Sequence, residues 1–477
     1  MTLHLYIRNS LVFVLILSTG VGLALLFPWL ADAQGLAAHR NATAVGTCYA
    51  THDNGVTVFG SPDAKAVQDA VDAANPGDIV KVAGTCVGVQ PRDGINQTVY
   101  ISKSLRLEGG HTHTDWSLDP NPQIYTTTLD ADRLGRVVVI SGTISAALDS
   151  LRLTGGWANG AGLGNSGAGI WSNAEFSVTN SIVFSNTAGA FGGGYYSGIG
   201  SIPWVSKVTF EDNEAVHGGG IYHEKDLRPV LSDVSLKNNR ADFGGGVFDN
   251  LNTRSVMTDV ALIGNSATSF GGGIFNNGGT DSQYINMLLS GNAAKSGGGV
   301  YNNASNTRFR NATISGNSAS EPGGGIANNQ SELYLYNSIV WNNQANGLTG
   351  TITATVYNEN NGIMTGTYSL IQSSGGSLGW ILDPSYVDDG GNIDTDPLFI
   401  TPISPTTAPT TTGNLRLQSN SPAIDVGKND FVTVPTDLDG EPRVVDGNGD
   451  LTATVDMGAY EYQIPYKYDG YLPLVYR

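Results

Sequence analysis

The chain has 477 residues, with 24 lysines and arginines against 42 aspartates and glutamates, a net charge of −18. That balance excludes nucleic acid as a partner, because phosphate binding needs a basic surface. With 40% hydrophobic and 14% charged residues the chain is too apolar to be disordered, and its 63 glycines are far above ordinary usage.

Residues 1–33 read as an export signal. Arg8 supplies a positive start, Leu11–Phe27 is mostly apolar, and Ala31-Asp32-Ala33 offers a small-x-small cleavage pattern before Gln34. The apolar run is close to spanning length, so retention as an amino-terminal anchor is the alternative to cleavage. Any membrane contact is expected through this segment alone. The two cysteines, Cys48 and Cys86, form an even pair. In an exported chain such a pair predicts a disulfide. Residues 34–78 read as an amino-terminal segment with a capping helix. Ser61-Pro62-Asp63 has the chemistry of a helix start, Ala64, Val67, Val71 and Ala74 share a helical face, and Asn75-Pro76-Gly77 stops it.

Residues 79–346 read as stacked coils. The early coils are irregular, and a polar insertion at 109–128 carries His111, His113 and Trp116. That His-x-His pair lacks a third metal ligand. From 167 to 346 the pattern becomes regular. Small-residue triplets begin at Gly167, Gly192, Gly218, Gly244, Gly271, Gly297 and Gly323, at spacings of 25 to 27 residues. A constant period of this size marks a solenoid. Each triplet is followed by an aliphatic or aromatic pair such as Ile221-Tyr222, and later by an Asn: Asn186, Asn213, Asn239, Asn265, Asn292, Asn317 and Asn343. Two apolar positions per copy cannot bury a face alone, but stacked coils can, with each strand about 4.8 Å from its counterpart. The Asn column predicts an amide ladder and the glycines a tight corner. Three consecutive glycines rule against a helical repeat, since together they would cost a helix interior roughly 2–3 kcal/mol per copy.

Gly-Gly-Gly-Ile/Val with Phe/Leu-x-x-Asn resembles the repeats of the polymorphic outer-membrane protein family over 167–346. More broadly it is similar to the pectin-lyase-like right-handed β-helix superfamily. So is the run Ala70-Val71-Asp72-Ala73-Ala74-Asn75-Pro76-Gly77-Asp78-Ile79-Val80-Lys81-Val82 at the entry to the coils. The resemblance implies an all-β, right-handed parallel β-helix, a solenoid with an amino-terminal capping helix, displayed at a bacterial surface. The outer-membrane barrel that usually ends the first family has no room here.

A scaffold of this kind needs a site before it has chemistry. The motifs expected of the polygalacturonase branch, Asn-Thr-Asp, a coil Asp-Asp and Arg-Ile-Lys, are missing. Two stacked columns offer candidates. Asp233 and Asp259 fall one coil apart in a column with Asn180, Lys207 and Asn286. They read as either a carboxylate pair in a cleft or a polar column at a strand start. His223 and Asp249 fall in the column one residue past the aromatics, among Ser172, Ser197 and Asn276. They read as either a general base oriented by an acid or a surface polar ladder. His217 takes a slot otherwise filled by phenylalanine, which implies packing.

Residues 347–412 read as irregular, ending in the Thr- and Pro-rich linker 401–412, and residues 413–462 as a small β-rich module. Asp396-Pro397-Leu398-Phe399, Ser421-Pro422-Ala423-Ile424-Asp425, Asp437-Leu438-Asp439-Gly440 and Val455-Asp456-Met457-Gly458-Ala459-Tyr460-Glu461 occur in order. This series resembles the choice-of-anchor Q domain, with its motif beginning near 394. The resemblance implies closure of the solenoid's end and a part in surface sorting. Asp446, Asn448 and Asp450 alternate as calcium ligands do, but Leu451 replaces the usual Gly and Met457 the usual Glu. Calcium is thus the one candidate metal, and no other cofactor is expected. The tail 463–477 carries no sorting motif. The reading as a whole is an exported, non-catalytic, adhesin-like β-helix that binds polysaccharide or a surface or matrix protein at the cell surface or outside the cell. The alternative is a polysaccharide lyase or glycoside hydrolase of the pectin-lyase-like kind.

Overall fold

In the computed structural model, which describes residues 47–160 and 162–464, strands of successive coils pair in parallel and in register. The export segment 1–33 and the tail from 465 lie outside the described residues. The architecture is an all-β parallel solenoid of about 12 turns. One coil shows the plan. Ile221–His223 forms a first face, Val230–Lys237 a long bent second face, and Arg240–Phe243 a short third one. The glycine triplet Gly244–Gly246 then leads to Val247, directly over Ile221.

The bends have a common cause. Asp233 sits at φ 54° inside the long strand, Asn238 at 53° after it, and Gly244 at 65° before the next coil. Asn, Asp and Gly tolerate this left-handed backbone better than other residues. Only the first glycine of each triplet turns with positive φ. The other two are required by crowding: a Cβ on Gly219 would lie 2.4 Å from the Arg240 carbonyl oxygen, and one on Gly220 would lie 2.8 Å from the Gly246 carbonyl oxygen. Beside them runs the asparagine ladder. Asn213 Nδ2 donates to Asn239 Oδ1 at 3.0 Å, and Asn239 to Asn265 and Asn265 to Asn292 likewise at 2.9 and 3.1 Å. Each amide also donates to a carbonyl of the preceding coil, as Asn239 does to Phe210 at 3.0 Å. All seven asparagines are fully buried and hydrogen-bonded.

The amino-terminal end is covered by a hairpin and a helix. β1 (Cys48–Thr51) pairs antiparallel with both β2 (Phe59–Ser61) and β3 (Ile79–Val87), so the open edge of the first coil is occupied. α1 (Lys65–Ala73) buries Ala66, Val67, Ala70 and Val71 in the solenoid core. It starts later than the Ser61 signal suggests, because it is the Asp63 carboxylate that accepts the Lys65 N–H, at 2.9 Å. A disulfide joins Cys48 of β1 to Cys86 of β3.

The carboxyl-terminal half corrects the sequence reading in three respects. The ladder does not stop at residue 346. Ile326 pairs with Val356, 30 residues on, and Leu333 with Met364, so stacking continues through an enlarged coil that a fixed period misses. Nor is 401–412 a free linker: Ile403 is buried, its carbonyl accepts Asn342 Nδ2 at 2.9 Å, and Thr410 N–H donates to Gly291 at 2.9 Å. The module that follows does not close the end of the solenoid. It lies as an arm across the flank of several coils, where Leu415, Leu417, Ile424, Met457 and Tyr460 pack on Leu288, Ile339 and Leu370. Among the described residues no helix is long and apolar enough to cross a membrane.

Candidate functional site

His223 and Asp249 are inside the solenoid. Both are fully buried, which overturns the surface-ladder reading of their column. His223 Nδ1 lies 2.6 Å from Asp249 Oδ1, and the Tyr195 hydroxyl meets His223 Nε2. Burial pushes the Tyr195 phenol well above its ordinary range, so it keeps its proton and donates it to the imidazole. Ser255 donates to Asp249 Oδ2 at 2.6 Å. Every polar atom of this pair has a partner, and no substrate can reach it. The signal was present in the strand: Ile221 and His223 stand two apart, and residues two apart share a face.

Asp233 and Asp259 are in a different setting. They stand on the left-handed bend of neighbouring coils, with Lys207 one coil earlier. Together the three line a crevice of about 450 Å³ between the solenoid flank and the arm, whose Leu438 and Tyr460 form the opposite wall. Asp233 is exposed and Asp259 half-buried. Burial raises the Asp259 pKa, the Asn286 amide opposes that at 2.8 Å, and the Asp233 carboxylate adds to the rise. The column changes character where the arm begins. Asn286 Nδ2 donates to the Thr436 carbonyl at 2.7 Å, and Asn337 both donates to Lys428 O at 3.0 Å and accepts from Lys428 N at 2.9 Å. Asn286 and Asn337 of the column hold the arm, while its charged members line the crevice at the arm's edge. Arg443, which the sequence offers only as part of the Pro442-Arg443 motif of the carboxyl-terminal module, is central to that contact. It is fully buried and donates to Asn286 Oδ1 at 3.0 Å and to Gly458 O at 2.7 Å.

On the other side of the bend the long sheet is open. Trp204, Val230, Val256, Gln283, Arg308 and Tyr334 stand in register on six successive coils, all facing outward. Trp204 is 49% exposed and Val230 40%. The Arg308 guanidinium lies 5.4 Å from the Tyr334 ring centre and pairs with Asp281. Six coils at about 4.8 Å give a flat strip of roughly 24 Å between its first and last members.

The remaining candidates fall elsewhere. Asp446 Oδ1 accepts Gly449 N–H at 2.7 Å, Asp446 Oδ2 accepts Leu451 N–H at 2.9 Å, and Asn448 Oδ1 accepts Asp450 N–H at 2.8 Å. These oxygens serve the turn's own backbone. Asp425, from the Ser421–Asp425 motif, also accepts the Asn448 N–H, at 2.7 Å. No cluster of three His, Cys, Asp or Glu suited to a metal occurs among the described residues. The His-x-His pair diverges: His111 Nε2 is 2.9 Å from Glu108, whereas His113 stacks on Tyr49 with ring centres 4.5 Å apart. His217 packs between Phe191 and Phe243, 5.2 and 5.1 Å away.

No protein-family model matches the chain, and no curated protein matches it. Among solved structures, the chain is similar to the crystal structure of pectate lyase Pel9A. The TM-score is 0.38 and the identity 13%, over 83% of this chain and 90% of that one.

Proposed function

We propose that this protein is an exported, non-catalytic, adhesin-like solenoid that binds an extended glycan or matrix molecule along its outer face. The observation that supports this most is the open strip from Trp204 to Tyr334, in which one outward side chain per coil, aromatic at both ends and aliphatic then polar between, repeats along a line. A linear ligand meets such a strip at many weak, equally spaced contacts. The burial of His223 and Asp249 removes the one base–acid pair that the sequence offered for catalysis. The test is retention on a panel of immobilised polysaccharides and matrix proteins. Wild-type protein is expected to be retained by at least one, and Trp204→Ala or Arg308→Ala to release it. No retention on any member of the panel would remove the proposal.

A second reading has its own support. The half-buried Asp259, its pKa raised by burial, stands one coil from the exposed Asp233 in a crevice, a pairing of two carboxyl groups in unlike settings as in a glycoside hydrolase. Hydrolysis that disappears in Asp259→Asn would establish it over the first. Surface sorting through the arm, and calcium at Asp446, Asn448 and Asp450, stand as lesser proposals beside these.

A further inference from the structure

The outer aromatics of the first face form a stack that ends abruptly. Trp171, Tyr196, Tyr222, Phe248, Phe275 and Tyr301 follow one another coil by coil, with ring centres 4.9–6.3 Å apart and planes within 32°. Beyond Tyr301 the next position is Ala327, buried and closed in. Beyond Trp171 it is Val139, so among the described residues no ring continues the stack on that side. There a cavity of about 590 Å³ opens, with Trp171 on one side and Trp157 on the other. The Arg133 guanidinium stacks 4.2 Å from the Trp157 ring centre and holds that indole in place. Both tryptophans are half-buried, and the exposed amides of Asn96 and Asn159 stand at the rim.

We infer that this cavity is a carbohydrate subsite. A pyranose has apolar C–H faces and a belt of hydroxyls, and the cavity offers the complement of both: indole surfaces at its walls, and amide donors and acceptors at its edge. Its volume lies in the range of small-ligand sites and suits roughly two sugar rings. The inference rests on the reading that the ligand is a glycan, but not on the strip from Trp204 to Tyr334, which lies on another sheet.

The test is calorimetric titration of the full chain with soluble oligosaccharides, one series neutral and one of uronic acids. Binding by at least one series is expected, with Trp171→Ala and the rim variant Asn159→Ala each weakening it roughly tenfold or more and the control Leu382→Ala, exposed and part of neither surface, leaving it unchanged. The series that binds assigns the sugar class. The inference is overturned if no oligosaccharide binds at millimolar concentration, or if Trp171→Ala, Trp157→Ala and Asn159→Ala all bind as wild type does. Asn159→Ala guards against a Trp171 variant that simply misfolds. If polymers are retained through Trp204 while oligosaccharides ignore Trp171, this subsite fails and the outer-face proposal stands. If oligosaccharides bind through Trp171 and no polymer depends on Trp204, the reverse holds.

Discussion

Ile221 and His223 share the inner face of one short strand, so the imidazole enters the core with the aliphatic side chain. There it needs partners, and Tyr195 and Asp249 supply them from adjoining coils. Replacing His223 by Leu leaves the Asp249 carboxylate buried without its main partner. We expect a loss of about 3–5 kcal/mol in urea denaturation, the usual cost of breaking a buried pair. His223→Leu with Asp249→Leu should lose less, and neither should alter ligand retention at a temperature where the variant stays folded. A catalytic or binding role for the pair would instead appear as lost function with intact stability. The ladder residue Asn239 gives a parallel case. Asn239→Ala removes donors to Phe210 and Asn265 and strands the buried groups of Asn213 that it accepts from. A destabilisation of roughly 2–4 kcal/mol is expected by the same measurement.

The arm is the element whose place depends on charge. Arg443 lies buried with Glu461, Asp456 and Asp437, one cation among three carboxyl groups. Burial, the largest cause for both, pushes Glu461 and Asp456 above the ordinary carboxylate range, and for Glu461 the neighbouring Asp456 adds to it. In the unfolded chain both acids release their protons near pH 4. Above that the native state binds more protons than the unfolded one, so stability must fall as pH rises, until the raised native values are passed. Thermal melting from mildly acid to mildly alkaline pH should show that decline, and Glu461→Gln should flatten it. A profile unchanged by Glu461→Gln would mean that this group does not govern the arm. The docking of the arm was partly legible. Outward positions on the second half of the long strand run Thr209, Ser235, Ala261, Leu288, Thr313, Ile339 and Leu370, turning apolar where the arm covers them except at Thr313, whose hydroxyl accepts the Ala459 N–H. What covers them was not legible, because Arg443 meets Asn286 across 157 residues, and no local pattern encodes that contact.

At the scale of the molecule, the solenoid was legible because seven near-identical copies leave few ways to bury two apolar residues each. The enlarged coil after 346 was not, since its stacking survives while its spacing changes. The Asp233 and Asp259 column was visible as a row of polar residues, but its left-handed backbone and the crevice at the arm's edge depend on tertiary packing. Calcium offers a whole-molecule check: binding at Asp446, Asn448 and Asp450 should make melting calcium-dependent, and a melting temperature unchanged by chelation would remove that proposal. A rise on adding calcium would show that the loop rearranges to hold the ion. The account turns most on whether the surface captures a polymer without cutting it. Protein incubated with each retained polysaccharide should be assayed for bound protein and for new reducing or unsaturated chain ends in the same sample. Retention lost in Trp204→Ala, with no new ends, is the predicted result. New ends that vanish in Asp259→Asn would contradict the account and make the crevice an active site.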